Sequence, residues 1–282
     1  MRLNARGGRE GYRVNVPLTV IMIVCSLTIL VPLYLAVVTA IKTPGEISSG
    51  TGFEFPLAPQ WQNFVTAWTV TSFPRTFLNT TVVTAGTVVV SLLVSSLLSY
   101  AIARHPRHPF FRIVFLLLMS ALFIPFPILM LPVVNEAAAF GLDNQAGLVL
   151  LEVVFALSFN MFLYVAFIRA IPIELEEAAR IDGATTWQVF WRIVFPLLAP
   201  MNATIGILVF LHTWNDFLLP LVVLSDPAQG TLPMAQYAFQ GKQNVSYGPA
   251  FASYLMAMAP VVVVYLFSQR WVLSGVMRGS VK

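Results

Sequence analysis

His212, Asn215 and Asp216, together with Leu219, follow the three-and-four spacing that puts side chains on one face of a helix, inside a largely apolar stretch. Imidazole, amide and carboxylate together can line a path for a polar solute, donating and accepting hydrogen bonds along it. The same set can instead bond a neighbouring helix, or the backbone freed near Pro220. Spacing alone leaves both open. Three more polar residues stand in apolar surroundings: Asn79, Glu152 and Asn160. Glu152 is placed near a span end, where its carboxylate reaches water, and Asn160 lies deeper, where an amide suits a bond between helices. A charge at mid-bilayer costs about 2.5–3.5 kcal/mol, so each such residue needs an account.

Enzyme chemistry has few materials here. His105, His108 and His212 are too scattered for a His-Glu-x-x-His zinc site, and the first two fall in a basic turn with Pro106 and Pro109. Cys25, the only cysteine, stands in an apolar block and reads as a packing residue. Met256 and Met258 lack the further sulfurs that a thioether metal path needs. Gly241-Lys242 has neither the earlier glycine nor the following hydroxyl of a phosphate-binding loop. The chain therefore holds no ATP-hydrolysing site of its own.

A second cluster lies in the polar loop between residues 169 and 196. After Ile171-Pro172, Glu174, Glu176 and Glu177 fall at the start of a short helix, where carboxylates favour the positive end of its dipole. Leu175, Ala178 and Ala179 share a face, and Gly183 suits the left-handed position that ends a helix. Thr185-x-x-Gln188 has the form of a capping box opening a second helix, whose Trp187, Phe190, Trp191 and Val194 make an apolar stripe suited to the membrane interface. Alanines at 178 and 179 let another backbone come close. A docking helix and a plain connector fit these features equally.

One pattern narrows the choice. Glu177-Ala178-Ala179, three residues, Gly183, nine residues, then Ile193-Val194-Phe195-Pro196 resembles the "EAA" loop of importer-type ABC transporter permeases, with Phe195 in place of a leucine. Asn79-Thr80, Trp214-Asn215-Asp216-Phe217 and the ending Gln269-Arg270-Trp271 … Gly275 … Gly279-x-Val281-Lys282 are similar to carbohydrate-importer permeases, specifically the smaller permease of maltose-type systems. The resemblance implies an all-α, type I ABC importer permease fold of six transmembrane helices. Glu176, Glu177, Ala178, Ala179, Asp182 and Gly183 would couple to a separate ATPase, and Met277, Arg278, Gly279 and Lys282 would form a tail touching it. His212, Asn215, Asp216, Asn79 and Asn160 are the candidates for the substrate path. The implied partners are a second permease, two copies of the ATPase (which would bind ATP with Mg) and an extracytoplasmic solute-binding protein, with a sugar as cargo. No cofactor is expected on this chain itself.

Long apolar elements must position these residues. Of 282 residues 58% are hydrophobic and 10% charged, against about 25% charged in a soluble domain. Six blocks reach the length a bilayer demands: 16–41, 77–103, 110–134, 147–168, 197–224 and 250–273. The first is too long for the apolar part of a signal peptide and reads as a retained span. The chain divides into an arm at 1–15, a membrane domain at 16–273 containing the 169–196 loop, and a tail at 274–282. Six spans put both ends on one side. Thirteen of the sixteen Lys and Arg residues fall on that side, leaving Lys42, Arg75 and Lys242 opposite. Both ends are thus expected in the cytoplasm, in a bacterial plasma (inner) membrane protein. The same bias accounts for a pI near 9.4 without nucleic acid.

The long segment 42–76 carries Phe53, Phe55, Trp61, Phe64 and Trp68. It reads as a partly helical stretch at the membrane interface, with reception of an outer partner as the alternative. An ion-coupled transporter would predict titratable residues deep in several spans, whereas only Glu152 and Asp216 come near that description. A permease for amino acids or another small polar solute would keep the loop but weaken the matches around Trp214 and at the C-terminus.

Overall fold

The computed structural model describes residues 16–240 and 246–280, the side chains of 267–280 excepted. The 1–15 arm with its arginines, Lys242 and Lys282 lie outside the described residues. Met277, Arg278 and Gly279 fall on a helix backbone, their side chains outside the described residues.

Among the described residues the regular elements are helices. Four are long and apolar enough to cross a membrane: α1 (Val16–Ala40), α4 (Phe73–Arg104), α7 (Gln145–Ala170) and the Tyr247–Leu266 part of α14 (Tyr247–Ser280). Six spans result only if two bent helix pairs each count as one.

The first bent pair is α5 (Pro109–Ala121) with α6 (Phe126–Ala139), which meet at 112°. One straight span over 110–134 is therefore not what forms. Two prolines explain the break. Pro125 sits in an extended conformation (φ −65°, ψ 135°) at the mouth of α6, and Pro127 follows within its first turn. Neither ring nitrogen can donate to a helix continuing from α5, and each proline disfavours helical backbone just before it.

The span expected over 197–224 is divided as well. Helix α11 (Ala199–Asn215) stops at Asp216, which is extended (φ −71°, ψ 131°), and α12 (Leu218–Val223) starts two residues on. Pro220 is the cause: it has no N–H for the carbonyl of residue 216, and its ring would strike that oxygen. At the other end, α11 meets the preceding helical run Thr186–Leu197 at 73°.

Helix α4 is the spine of the packing, lying most extensively on α7 and then on α11. The face it buries is Thr80, Thr84, Thr87, Ser91, Ser95 and Ser99, at three-and-four spacing. Small side chains let helices approach closely where lipid supplies no hydrophobic force between them. Above this row one apolar cluster gathers Tyr100, Tyr164, Ile168, Phe190, Leu198 and Ile205.

The segment between α1 and α4 is partly helical, as expected, with α2 (Pro44–Ser49) and α3 (Gln62–Val70). Thr43 and Glu46 form a capping box at α2. Hydrogen bonds from the backbone of Thr43, and then of Leu57, hold the Glu46 carboxyl below its ordinary range. Phe53, Phe55, Trp61 and Trp68 remain exposed. The segment after α12 folds back on the start of α4: Thr80 Oγ1 accepts from Leu232 N–H at 2.8 Å within the turn that opens α13 (Leu232–Gln236).

Helix α7 begins on a tight turn, where Asn144 Oδ1 accepts from the N–H groups of Ala146 and Gly147. A Cβ on Gly147 would run into the Leu142 backbone carbonyl. Gly147→Ala is expected to lower stability by about 1–3 kcal/mol, the usual effect of overpacking. A fall of several degrees in the Tm of the detergent-purified protein would show it; an unchanged Tm would mean that the turn relaxes freely.

Candidate functional site

The 171–198 loop is built largely from local chemistry. Helix α7 ends at Ala170, and Ile171 is extended before Pro172 (φ −76°, ψ 125°), as a residue preceding proline prefers. Helix α8 (Glu174–Ile181) opens with the three glutamates in its first turn. Gly183 takes φ +87°, a conformation that L side chains rarely adopt, although a Cβ there would meet nothing within 4 Å. At α9 (Thr186–Val189) the expected capping box is complete: Thr185 Oγ1 accepts from Gln188 N–H, and Gln188 Oε1 accepts from Thr185 N–H at 2.8 Å. Such a cap contributes about 1 kcal/mol. A π-helical turn, Phe190–Val194, then runs into the short α10 (Phe195–Leu197), and Phe195 N–H reaches back five residues to the Phe190 carbonyl.

Two sequence expectations about this loop need correction. The apolar stripe does not lie together at a membrane interface. Phe190 and Val194 are buried in the protein's own core, whereas Trp187 remains 61% exposed. Glu176 does not share the outward face of Glu177. Its carboxylate is fully buried, accepting from Tyr100 Oη and from Arg104 Nε, both at 2.7 Å, with Arg180 Nη2 at 3.7 Å. Arg104 Nη2 also donates to the Ile171 carbonyl at 3.2 Å. Glu176 thus ties α8 to the end of α4, and its carboxylate is buried away from the surface that another protein could touch. Glu177, Ala178, Asp182 and Gly183 stay exposed, with Ala179 half-buried and Leu175 and Ile181 standing out as exposed apolar side chains. A shallow cleft lined by Ala179, Asp182, Gly183, Ala184, Gln188 and Arg192 runs beside them.

The polar residues of the spans converge only in part. A cavity of about 550 Å³ lies among α6, α7, α11 and α12, and His212, Asp216 and Asn160 all line it. Glu152 lines it too, and sequence reasoning placed that residue wrongly. Rather than reaching water it is 1% exposed, with Oε2 accepting from Thr213 Oγ1 at 3.2 Å and lying 3.9 Å from His212 Nε2. The signal was available in the spacing: Glu152, Ala156 and Asn160 repeat every four residues and so share one face of α7.

Asn215 and Asn79 are not brought to this cavity. With α11 ending at Asn215, that side chain donates to the Leu211 carbonyl at 2.7 Å and faces a separate groove beside Trp214. Asn79 donates to the carbonyls of Ala228 and Gly230, at 2.9 and 3.0 Å, pinning the 225–231 segment onto α4. Each amide nitrogen thus has a carbonyl partner within the chain. Among the described residues, no group of three or more His, Cys, Asp or Glu side chains is arranged to hold a metal ion.

Known proteins similar to this chain agree with one another. The chain is 37% identical over 268 residues to the multiple sugar-binding transport system permease protein MsmG of Streptococcus mutans, covering 93% of this chain and 95% of that one. It is 35% identical to the melibiose/raffinose/stachyose import permease protein MelC of Bacillus subtilis, covering 89% and 91%. The diacetylchitobiose uptake system permease protein NgcG of Streptomyces coelicolor is 32% identical, covering 92% and 86%. In fold, it superposes with a TM-score of 0.76 at 23% identity on a chain of a bacterial ABC transporter involved in import of the acidic polysaccharide alginate, covering 90% and 95%. Residues 95–278, which include the 171–198 loop and every cavity-lining residue, match the model of one family. This chain is a member of the binding-protein-dependent transport system inner membrane components, a multi-pass permease of the ABC importer class.

Proposed function

We propose that this chain forms one half of the translocation pore of an ATP-driven sugar importer. A second permease completes the pore, two copies of an ATPase that binds ATP with Mg drive it, and an extracytoplasmic binding protein delivers the sugar. The carrying observation is the exposed α8–Gly183 turn, with its acidic first turn and adjoining cleft, held on a buried anchor. The three relatives named above are permeases of sugar or oligosaccharide uptake systems, which supports a sugar cargo.

In this reading Glu177, Ala178, Ala179, Asp182 and Gly183 meet the ATPase, and Glu176 acts from behind by holding α8 in place. Both chain ends face the cytoplasm, supported by the thirteen-to-three distribution of Lys and Arg. Met277, Arg278, Gly279 and Lys282 form the tail on that same side. ATP-driven closure of the ATPase pair shifts the pore between inward-open and outward-open populations, and no covalent change is made in the cargo.

The test is transport by the whole assembly. The chain is co-expressed with a cognate permease, ATPase and binding protein and reconstituted in proteoliposomes. ATP-dependent accumulation of labelled neutral oligosaccharides is expected. Accumulation of amino acids with none of any sugar would overturn the sugar assignment.

A further inference from the structure

The cavity among α6, α7, α11 and α12 has the composition of a small-molecule site rather than of a packing defect. Its volume of about 550 Å³ falls within the range of roughly 300–1,000 Å³ usual for such sites. Its walls are chiefly apolar, with Phe126 set edge-on to Phe155 (centroids 5.3 Å apart, planes at 87°) and with Phe159 and Leu208 beside them. A few polar groups converge inside: Glu152, Asn160, His212 and Asp216.

Two of those groups are unsatisfied. Glu152 Oε1 and Asn160 Nδ2 are buried and have no hydrogen-bond partner, although their residues are only 1% and 2% exposed. A buried polar atom left unpaired costs about 1–3 kcal/mol, more when charged, and native proteins rarely leave one without use. Here one acceptor and one donor line the same space, eight residues and two turns apart on α7. Asp216 lies against Glu152, carboxyl beside carboxyl, with its Oδ1 taking the N–H of Leu218 at 3.1 Å. The break at Asp216 and Pro220 is what turns this carboxylate inward.

We infer that this cavity is a binding subsite for one uncharged sugar unit, carried by this chain. The inference rests on the importer reading above and names what its pore contacts. A sugar hydroxyl donates to a carboxylate and accepts from an amide, so one unit can satisfy Glu152 Oε1 and Asn160 Nδ2 together. The phenylalanines cover the apolar C–H faces of the ring. Charge sets the selectivity. The lining contains no Lys or Arg, and its single imidazole already lies 3.9 Å from Glu152, so nothing there offsets the charge of an anionic sugar and uronate-containing chains are excluded here.

The assembled transporter in proteoliposomes provides the test, using a neutral trisaccharide and a uronate trisaccharide as probes. Glu152→Gln and Asn160→Ala are each expected to raise KM for the neutral sugar about tenfold or more, as losing one hydrogen bond to a charged or buried group does. Ala156→Leu, which puts a larger apolar side chain into the cavity while leaving every polar residue in the sequence unchanged, is expected to lower uptake with the complex still assembled. Unchanged KM in the polar variants, with full uptake by Ala156→Leu, would overturn the subsite. So would loss of the second permease on co-purification with KM unchanged in what assembles, since the cavity would then be a socket for that subunit. Faster uptake of the uronate than of the neutral probe by the unaltered complex would overturn the charge assignment. Absence of any sugar uptake by the unaltered complex would defeat the importer reading itself, so the two failures are distinguishable.

Discussion

Changing Gly183 to proline, or Glu177 to lysine, is expected to reduce ATP-driven uptake to background while the chain still inserts in the membrane. Gly183 stands at φ +87°, and proline is fixed near −65°, so the turn between α8 and α9 cannot keep its course. The exposed face formed by Glu177, Ala178, Asp182 and Gly183 would then be re-aimed as a whole. Glu177→Lys leaves the turn intact and tests chemistry alone. It puts a cation at the positive end of α8, which costs about 0.3–1 kcal/mol of helix stability, too little to unfold the loop. It also reverses one charge of the acidic edge, so a large loss of transport would come from the interface. Gly183→Ala calibrates both, because its Cβ meets nothing within 4 Å and only the left-handed backbone opposes it, at about 1–2 kcal/mol. The readouts are uptake and the amount of ATPase that co-purifies. Normal values of both in the proline and lysine variants would remove the coupling role from this loop.

Loss of the Glu176 carboxylate is expected to have the largest effect on stability. Glu176→Ala strands Arg104, whose side chain is 10% exposed, and leaves the Tyr100 hydroxyl without its acceptor. Breaking a buried pair from one side costs about 3–5 kcal/mol, and the slight access of Arg104 to water puts this case toward the lower figure. The Tm should fall by several degrees, and protease should cut the 171–185 loop sooner. Arg104→Ala with Glu176→Ala should lose less than the sum of the two single losses, because the double variant strands no charge. A single Glu176→Ala variant as stable as the unaltered chain would show that the pair is dispensable.

What could be read from sequence was whatever a few neighbouring residues decide. The Thr185–Gln188 cap, the Gly183 turn and the acidic opening of α8 each depend on contacts within a turn or so, and each forms as expected. Glu176 shows the opposite. Its neighbours made it look like one more solvated glutamate, while its actual partners, Arg104 and Tyr100, are 72 and 76 residues away. Glu152 fails for the same reason: its burial depends on α11 and α12 closing over α7. The two broken spans fall between these cases. Pro125, Pro127 and Pro220 were visible and kinks could be expected, but whether a kink becomes a 112° break depends on what packs on either side. Asn79 shows the same dependence, since the carbonyls it holds are some 150 residues distant.

Helix α4 is held at both of its ends. At one, Arg104 grips Glu176 and the Ile171 carbonyl; at the other, Asn79 and Thr80 grip the segment from Ala228 to Leu232. Its 32 residues span about 48 Å at 1.5 Å each, well beyond the roughly 30 Å of hydrocarbon in a bilayer. Mechanically, α4 is a stiff lever with a clamp at each tip. A tilt of only about 5° imposed on the α8 end displaces the opposite tip by about 4 Å on that length. If the loop receives the ATPase's push, as proposed above, that push arrives at the other membrane face as travel of atomic size, with no relay of small rearrangements needed along the way.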